Sequence, residues 1–467
     1  MPENFINIDR DTPMFLPPDL RDWVPEGHMV HFVLEVVNSL DLSSFTTNVR
    51  GTGSAQYPPS MMLALLVYCY ATGRFSSREI EQASYYDVAV RYLCAQTHPD
   101  HDTICTFRRR NREAFEKFFV HVLEVAAESK VLKKVGTISV DGTKVHANAS
   151  KHSAVSYGRA QELLAQLENE VAVLVEKAEQ ADRADLPGTL DLPAEIARRE
   201  ERKVCIKEAM TVIEARHQEK LKDKQQAYEA KLAGRKERRE RGERVRGREP
   251  KEPSPEVDPK DQYNFTDPES RIMKAGNGGH FEQSYNAQAA VEVESMLVVS
   301  NYVTDRPNDK QELLPNLERT QANAFTVEKV LADTGYYSEG ATLAAEAEGI
   351  EAYIAVGKQS HGRSLESILG EDQPLDLADT ASAKERMAHK LKSPQGERLY
   401  RLRKQTVEPV FGIIKQCMRF RQFLMRGQDN VSNEWNLVCT AYNLKRIFKL
   451  INVEPTPAWP QPISTTA

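Results

Sequence analysis

The chain lacks most of what would commit it to thiolate-metal, disulfide or membrane chemistry. Its six cysteines, Cys69, Cys94, Cys105, Cys205, Cys417 and Cys439, include no CxxC pair. That argues against a zinc site and predicts reduced thiols in a cytosol. The longest apolar run, residues 61–71, has 11 residues, against the ~20 needed to cross a bilayer, so no membrane role is expected. The opening residues, MPENFINIDRDTP, do not read as a secretion signal, and a cytoplasmic location is expected. Basic excess is also missing. Lys and Arg number 62 against 68 Asp and Glu, a net charge of −6, so a nucleic-acid partner would have to be met by local patches.

What is present is a polar globular composition. With 467 residues, 40% hydrophobic and 28% charged, the chain has room for two or three domains and a sizeable core. Residues 1–130 read as helical. Pro58 and Pro59 precede the apolar helix MMLALLVYCYA, Gly73 breaks it, and Ser76 with Glu79 makes a capping box for the next helix. That pattern suits a helix-turn-helix or a plain helical bundle. Asp102 is expected to cap a longer helix carrying Ile104, Phe107, Phe115, Phe118 and Phe119 on one face. The basic run Arg108, Arg109, Arg110 and Arg112 lies among them. It suits phosphate contact or a solvated face.

Residues 151–262 differ in composition, being rich in Ala, Glu, Lys, Gln and Arg. They read as a charged helical hairpin broken at Leu186-Pro187-Gly188, with Leu163, Leu167, Val171 and Leu174 at helical spacing. Residues 231–252 hold ten basic and five acidic side chains, expected to be solvated and partly disordered. Beyond them come a hairpin of strands at 281–293 and 296–304, a helix at 310–320, a strand at 329–332, a helix capped by Ser338, and a strand at 350–356. A polar loop is expected over 358–393, helix over 400–451, and a loose tail after 452.

Candidate chemistry sits at two strand ends. TISVDGTKVHANAS reads as a short strand at 137–140 that ends on Asp141, with Gly142 turning the chain. VEKVLADTGYYS reads as a strand that ends on Asp333, followed by Gly335. Parallel strands ending side by side would bring these acids together. Glu408, in TVEPVFGIIKQ, is the best third acid, with Pro409 marking a helix start or bend. The three acids lie 192 and 75 residues apart. Three carboxylates suffice to hold two Mg²⁺ ions ~4 Å apart for phosphoryl transfer without a protein nucleophile. The plain alternative is three ordinary turn and helix acids. Trp435 and Tyr442, at helical spacing, read as core.

These segments resemble a DDE transposase of bacterial insertion sequences. The matching blocks are YPPSMMLALLVYCYATGRFSSREIE, HDTICTFRRRN, VDGTKVHANAS, YNAQAAVE, TDRPNDKQELLP, LADTGYYS, VEPVFGIIK and EWNLVCTAYNLKRI. The resemblance implies an α/β fold, a ribonuclease H-like mixed sheet with flanking helices over 131–150 and 263–451. To this it adds an all-α DNA-binding domain over 1–130, the helical insertion at 151–262 and a tail at 452–467. Asp141, Asp333 and Glu408 would be the catalytic and metal-binding acids, holding two Mg²⁺ ions with Mn²⁺ as a substitute. Arg108, Arg109, Arg110, Arg112, Tyr400, Arg401, Arg403, Lys404 and Lys415 would touch DNA. Lys404 stands where relatives have Arg, and the insertion follows the first Asp instead of preceding the Glu helix. The implied partners are double-stranded DNA, as element ends and as target, and a second copy when assembled on DNA. The implied activity is end cleavage and strand transfer. The alternatives are a ribonuclease H-like nuclease without strand transfer and a domesticated DNA-binding protein.

Overall fold

A computed structural model describes residues 19–47, 55–181, 191–242, 249–274, 280–323, 325–357 and 382–452. The break at residues 186–188 and the tail after residue 452 lie outside them. The chain is mixed α/β, and its contacts divide it into two units, residues 146–285 and the remainder.

In the larger unit, α1 (Met29–Asn38) and α2 (Pro59–Ala71) come first. α2 is buried continuously from Met62 to Ala71, as a helix apolar on every side must be. Gly73 ends it at φ +85°, where a Cβ would press on the Met418 carbonyl. The Ser76–Glu79 capping box starts α3 (Ser77–Tyr86), and Asp87 caps α4 (Val88–Leu93). The next helix is capped by Asp100, not Asp102, and splits in two. α5 (His101–Arg110) ends at Asn111, whose side chain accepts from Thr46 N–H and donates to the Phe107 carbonyl. α6 (Arg112–Glu128) then turns Phe115, Phe118, Phe119 and Val122 inward.

The sheet order in this unit is β6–β5–β1–β7–β8. β1 (Thr137–His146), β7 (Lys329–Ala332) and β8 (Glu351–Ile354) run parallel. β5 (Phe281–Glu292) and β6 (Val298–Thr304) form an antiparallel hairpin. α9 (Leu313–Ala322) and α10 (Glu339–Ala347), the latter capped by Ser338 as expected, follow β6 and β7. Part of the stretch expected as loop is helix: Ser382 and Glu385 form a second capping box for α11 (Ala383–Lys392). α12 (Pro394–Gly412) runs into a π-helical turn at Ile413–Cys417, and α13 (Gln428–Ile451) closes the unit. α13 is buried along most of its length, with Trp435 fully enclosed and its indole N–H on the Gln288 carbonyl. It packs on α2, α6 and β6 together. For that reason the N-terminal helices, expected as a domain of their own, group with the sheet. α2 is apolar all round and is covered by a helix from the other end of the chain.

The smaller unit begins with β2 (Ala154–Ser156), which pairs with β3 (Gln262–Asn264) and brings the two ends of the insertion together. α7 (Tyr157–Ala181) and α8 (Leu192–Glu240) fold as a hairpin around Val155, Ala160, Leu167, Ile206 and Ala209. β4 (Arg271–Lys274) pairs with residues 281–284 of β5. No described helix is long and apolar enough to cross a membrane.

Candidate active site

Strand register brings two of the expected acids together. The last paired positions of β1 and β7 are Ser139 and Leu331, and each chain continues two residues to reach Asp141 and Asp333. Neighbouring strands lie ~4.8 Å apart, so the two carboxylates arise from equivalent positions on adjacent strands. They leave those positions differently. Asp333 ends its strand, and its side chain accepts from Gly335 N–H at 2.8 Å, opening a tight turn. Asp141 does not end a strand: β1 runs on to His146. Gly142 is not a turn glycine. It makes room, because a Cβ there would overlap the side chains of Gln288, Asp309 and Asn286.

Asp141 is the perturbed group. Burial pushes its carboxyl up to about 7, and the charge of Asp333 adds to this; Arg403 and the Gly142 N–H work against it. Arg403 links the third acid. It lies on α12 with only 9% of its side chain exposed, donates to Glu408 Oε1 at 2.9 Å and sits 3.7 Å from Asp141 Oδ2. Burial opposes the guanidinium charge, but Tyr400 and the surrounding acids outweigh it and hold the group protonated. The Tyr400 ring lies 5.9 Å from the guanidinium. Glu408 itself is inside α12, neither its cap nor its start; Pro409 is tolerated in the helix interior one residue later.

The remaining expected contacts sort unevenly. Arg401 is 200° around the helix from Arg403 at 100° per residue and pairs with Glu397 on the surface. Lys404 is exposed. Lys415, expected to face outgoing DNA, instead reaches back from the π-helical turn and donates to Thr143 Oγ1 and the Lys144 carbonyl. Burial, with Lys144 nearby, lowers its ammonium to about 8. Arg108 is not a phosphate contact either. It is 4% exposed and donates to Tyr70 Oη and the Phe75 carbonyl inside the helical layer. Arg109 and Arg110 are exposed, and Arg112 pairs with Asp429.

Sequence reasoning missed a fourth acid. Asp309 Oδ1 accepts from Asn286 Nδ2 and Gln288 Nε2, both at 2.7 Å, with Lys144 Nζ at 3.7 Å, and its charge also raises Asp141. Gln288 accepts in turn from Tyr336 and Asn316. The polar run TDRPNDK after β6 held the signal, but no strand delivers Asp309 directly, so strand-end logic passed over it.

Among the described residues, no three Asp, Glu, His or Cys side chains close into a set ready to hold one ion. The donor chemistry nevertheless fits a hard divalent cation. The acids from β1, β7 and α12 all act on the Arg403 guanidinium, and a half-buried Asp141 beside Asp333 needs positive charge. Arg403 supplies that charge here.

Two family models match. One, described as a transposase domain (DUF772), covers residues 18–110. The other, described as a transposase DDE domain, covers residues 373–448 and so includes Glu408 and Arg403. No curated protein and no solved structure matches. Transposases act on DNA, and the DDE type implies use of a divalent metal. Both matches are to transposase domains, and they support a DDE transposase of insertion sequences.

Proposed function

We propose that this transposase binds the terminal inverted repeats of its element, cuts them and joins the freed ends to target DNA. Its site would be a three-carboxylate site in a ribonuclease H-like core. The observation that carries the reading is the register of β1 and β7, which sets Asp141 beside Asp333, with Arg403 tying Asp141 to Glu408. Asp141, Asp333 and Glu408 would hold two Mg²⁺ ions, or Mn²⁺ in their place. Bound there, the ions supply activation of the attacking oxygen and stabilisation of the leaving one. Asp333 is oriented by its bond to Gly335 N–H, and Asp141 by its bond to Gly142 N–H. The Asn286–Gln288–Asp309 network fixes the floor beneath them. Water first breaks the bond from phosphorus to the 3′ oxygen at the element end, leaving a 3′-hydroxyl and a 5′-phosphate. That hydroxyl oxygen then bonds to a target phosphorus, while the target's own 3′ oxygen leaves. A protein dimer assembled on the two ends completes the proposal.

The test uses Asp141→Asn, Asp333→Asn and Glu408→Gln. Each is expected to abolish end cleavage and leave end binding intact in a gel-shift assay. Wild-type cleavage by any one of them removes that residue from the site. Incubating a pre-cut end with plasmid separates this reading from a plain nuclease, which would hydrolyse but not join.

A further inference from the structure

Gly142 leaves a gap in β1 that two other elements use. The Ala147 N–H meets the Gln283 carbonyl at 2.9 Å, and the Val293 N–H meets that of Thr137 at 3.2 Å. Both bonds belong to one antiparallel register of β1 on β5, which sets Gly142 opposite Gln288. Residues directly opposed on antiparallel strands project to one face. With no Cβ at 142, the Gln288 side chain lies in the space left open. There it meets the Tyr336 hydroxyl, which donates to Gln288 Oε1. The other end of the amide, Nε2, donates to Asp309 at 2.7 Å. A carboxylate only accepts, so Asp309 fixes the amide with its oxygen toward Tyr336. β1 stands between β5 and β7 in the sheet, and the Tyr336–Gln288 bond joins those two sides directly.

Tyr336 belongs to the turn that carries Asp333. The Asp333 side chain is bonded to Gly335 N–H at 2.8 Å, so the carboxylate moves with that turn. The turn holds itself weakly. Tyr336 N–H meets the Asp333 carbonyl and Tyr337 N–H that of Thr334, both at 3.3 Å, beyond the usual range. Gly335 adds backbone freedom, and Thr334 and Gly335 are exposed. Tyr336 is fully buried, as is Gln288. We propose that Tyr336 is a positioning residue: its bond to Gln288 across Gly142 fixes where the Asp333 carboxylate stands beside Asp141. Two carboxylates share metal ions only at a set separation. Groups that orient a metal ligand without touching the metal are worth about 10–100-fold in metal affinity. The inference rests on the three-carboxylate reading for what that separation serves.

The test compares Tyr336→Phe with wild type and with Tyr442→Phe, all as full-length protein. Phe keeps the ring, and Gln288 Oε1 keeps its bond from Asn316, so the fold should persist. Tyr442 also donates from a buried hydroxyl, to the Met296 carbonyl at 2.9 Å, and controls for the loss of one such bond. In EDTA, hydrogen exchange of the peptide spanning residues 333–338 should quicken about tenfold in Tyr336→Phe. It should stay at the wild-type rate in Tyr442→Phe. The second readout is the Mg²⁺ or Mn²⁺ concentration that gives half of the metal-induced rise in melting temperature. It should increase at least about tenfold in Tyr336→Phe alone. Unchanged exchange in the turn, or equal changes in the two variants, overturns the positioning role. So does quickened exchange with a wild-type metal midpoint, since the bond would then steady the turn without placing Asp333. A wild type with no metal response defeats the three-carboxylate reading instead, and the exchange measurement then decides the Tyr336 bond by itself.

Discussion

Asp141 carries the electrostatic strain of the site. Its carboxyl titrates near 7 in the folded chain and near its ordinary 3.8 when unfolded, first because it is buried and next because Asp333 stands beside it. The folded state therefore keeps a proton that the unfolded chain has released, and in that window stability falls as pH rises. In EDTA, wild type should lose on the order of 2 kcal/mol between about pH 5 and about pH 7.5 through this one group. Asp141→Asn should lack that loss and outlast wild type at the upper pH. Superimposable melting profiles of the two proteins across this range would show that Asp141 is solvated like any surface acid. Arg403 is the counterweight. Arg403→Gln leaves Asp141 and Glu408 without their shared cation and should cost about 3 kcal/mol in EDTA, with Mg²⁺ restoring much of it. Arg401→Gln, which removes only a surface pair with Glu397, should stay within about 0.5 kcal/mol. Equal melting temperatures for the two variants would deny Arg403 its bridging role.

Elements with one strong local signal were readable from the sequence. β7 was placed residue for residue, because a short apolar run stops at Asp333 and a turn follows at once. The Ser76–Glu79 capping box and the fully apolar α2 were equally direct. β1 was cut short because Asp-Gly usually marks a turn. Here the glycine answers to Gln288 and Asp309, which lie far away in sequence, and no local rule reaches them. Lys415 was misplaced for a related reason: a π-helical turn re-aims its side chain onto β1, and regular helical phasing does not foresee it. The two glycines of contrasting role make a test. Gly142→Ala must displace packed polar side chains and should cost about 1–3 kcal/mol, with a matching loss of end cleavage. Gly234 sits in exposed helix with nothing within 4 Å of a new Cβ, so Gly234→Ala should raise α8 stability by about 0.5–1 kcal/mol. Protease resistance of α8 reads the second change and thermal melting the first. A harmless Gly142→Ala would mean that the floor of the site yields freely.

At the scale of the whole molecule, composition marked a change of character after residue 150 and carried no rule for which elements pack together. The contacts gather residues 146–285 into one compact unit, which takes in the stretch rich in Ala, Glu, Lys and Arg together with β3 and β4. By contrast, nothing local separates helices that pack among themselves from helices that pack on a distant one. α2 and α6 meet α13 across more than 300 residues of chain, with Asn433 donating to the Arg108 carbonyl and Lys445 to that of Ala71. Removing the hairpin tests this division. β2 and β3 hold the ends of the insertion in register, and Gly158 N–H donates to the Pro259 carbonyl, so a short Gly/Ser linker in place of residues 156–258 has little distance to span. It removes the helices that pack on Val155 and Tyr263, and with them Arg216, which donates to the Gln262 and Pro268 carbonyls. The larger unit keeps α2, α6, α13 and its sheet. The shortened protein should therefore remain folded and melt in one transition, within a few degrees of the wild-type transition for that unit, with helicity reduced by the loss of α7 and α8. It should still nick an element end, because Asp141, Asp333 and Glu408 all lie outside the deleted residues. Aggregation of the shortened protein would mean that the hairpin covers apolar surface the rest of the fold depends on. A soluble, folded protein that no longer nicks would mean that the hairpin takes part in DNA binding or assembly.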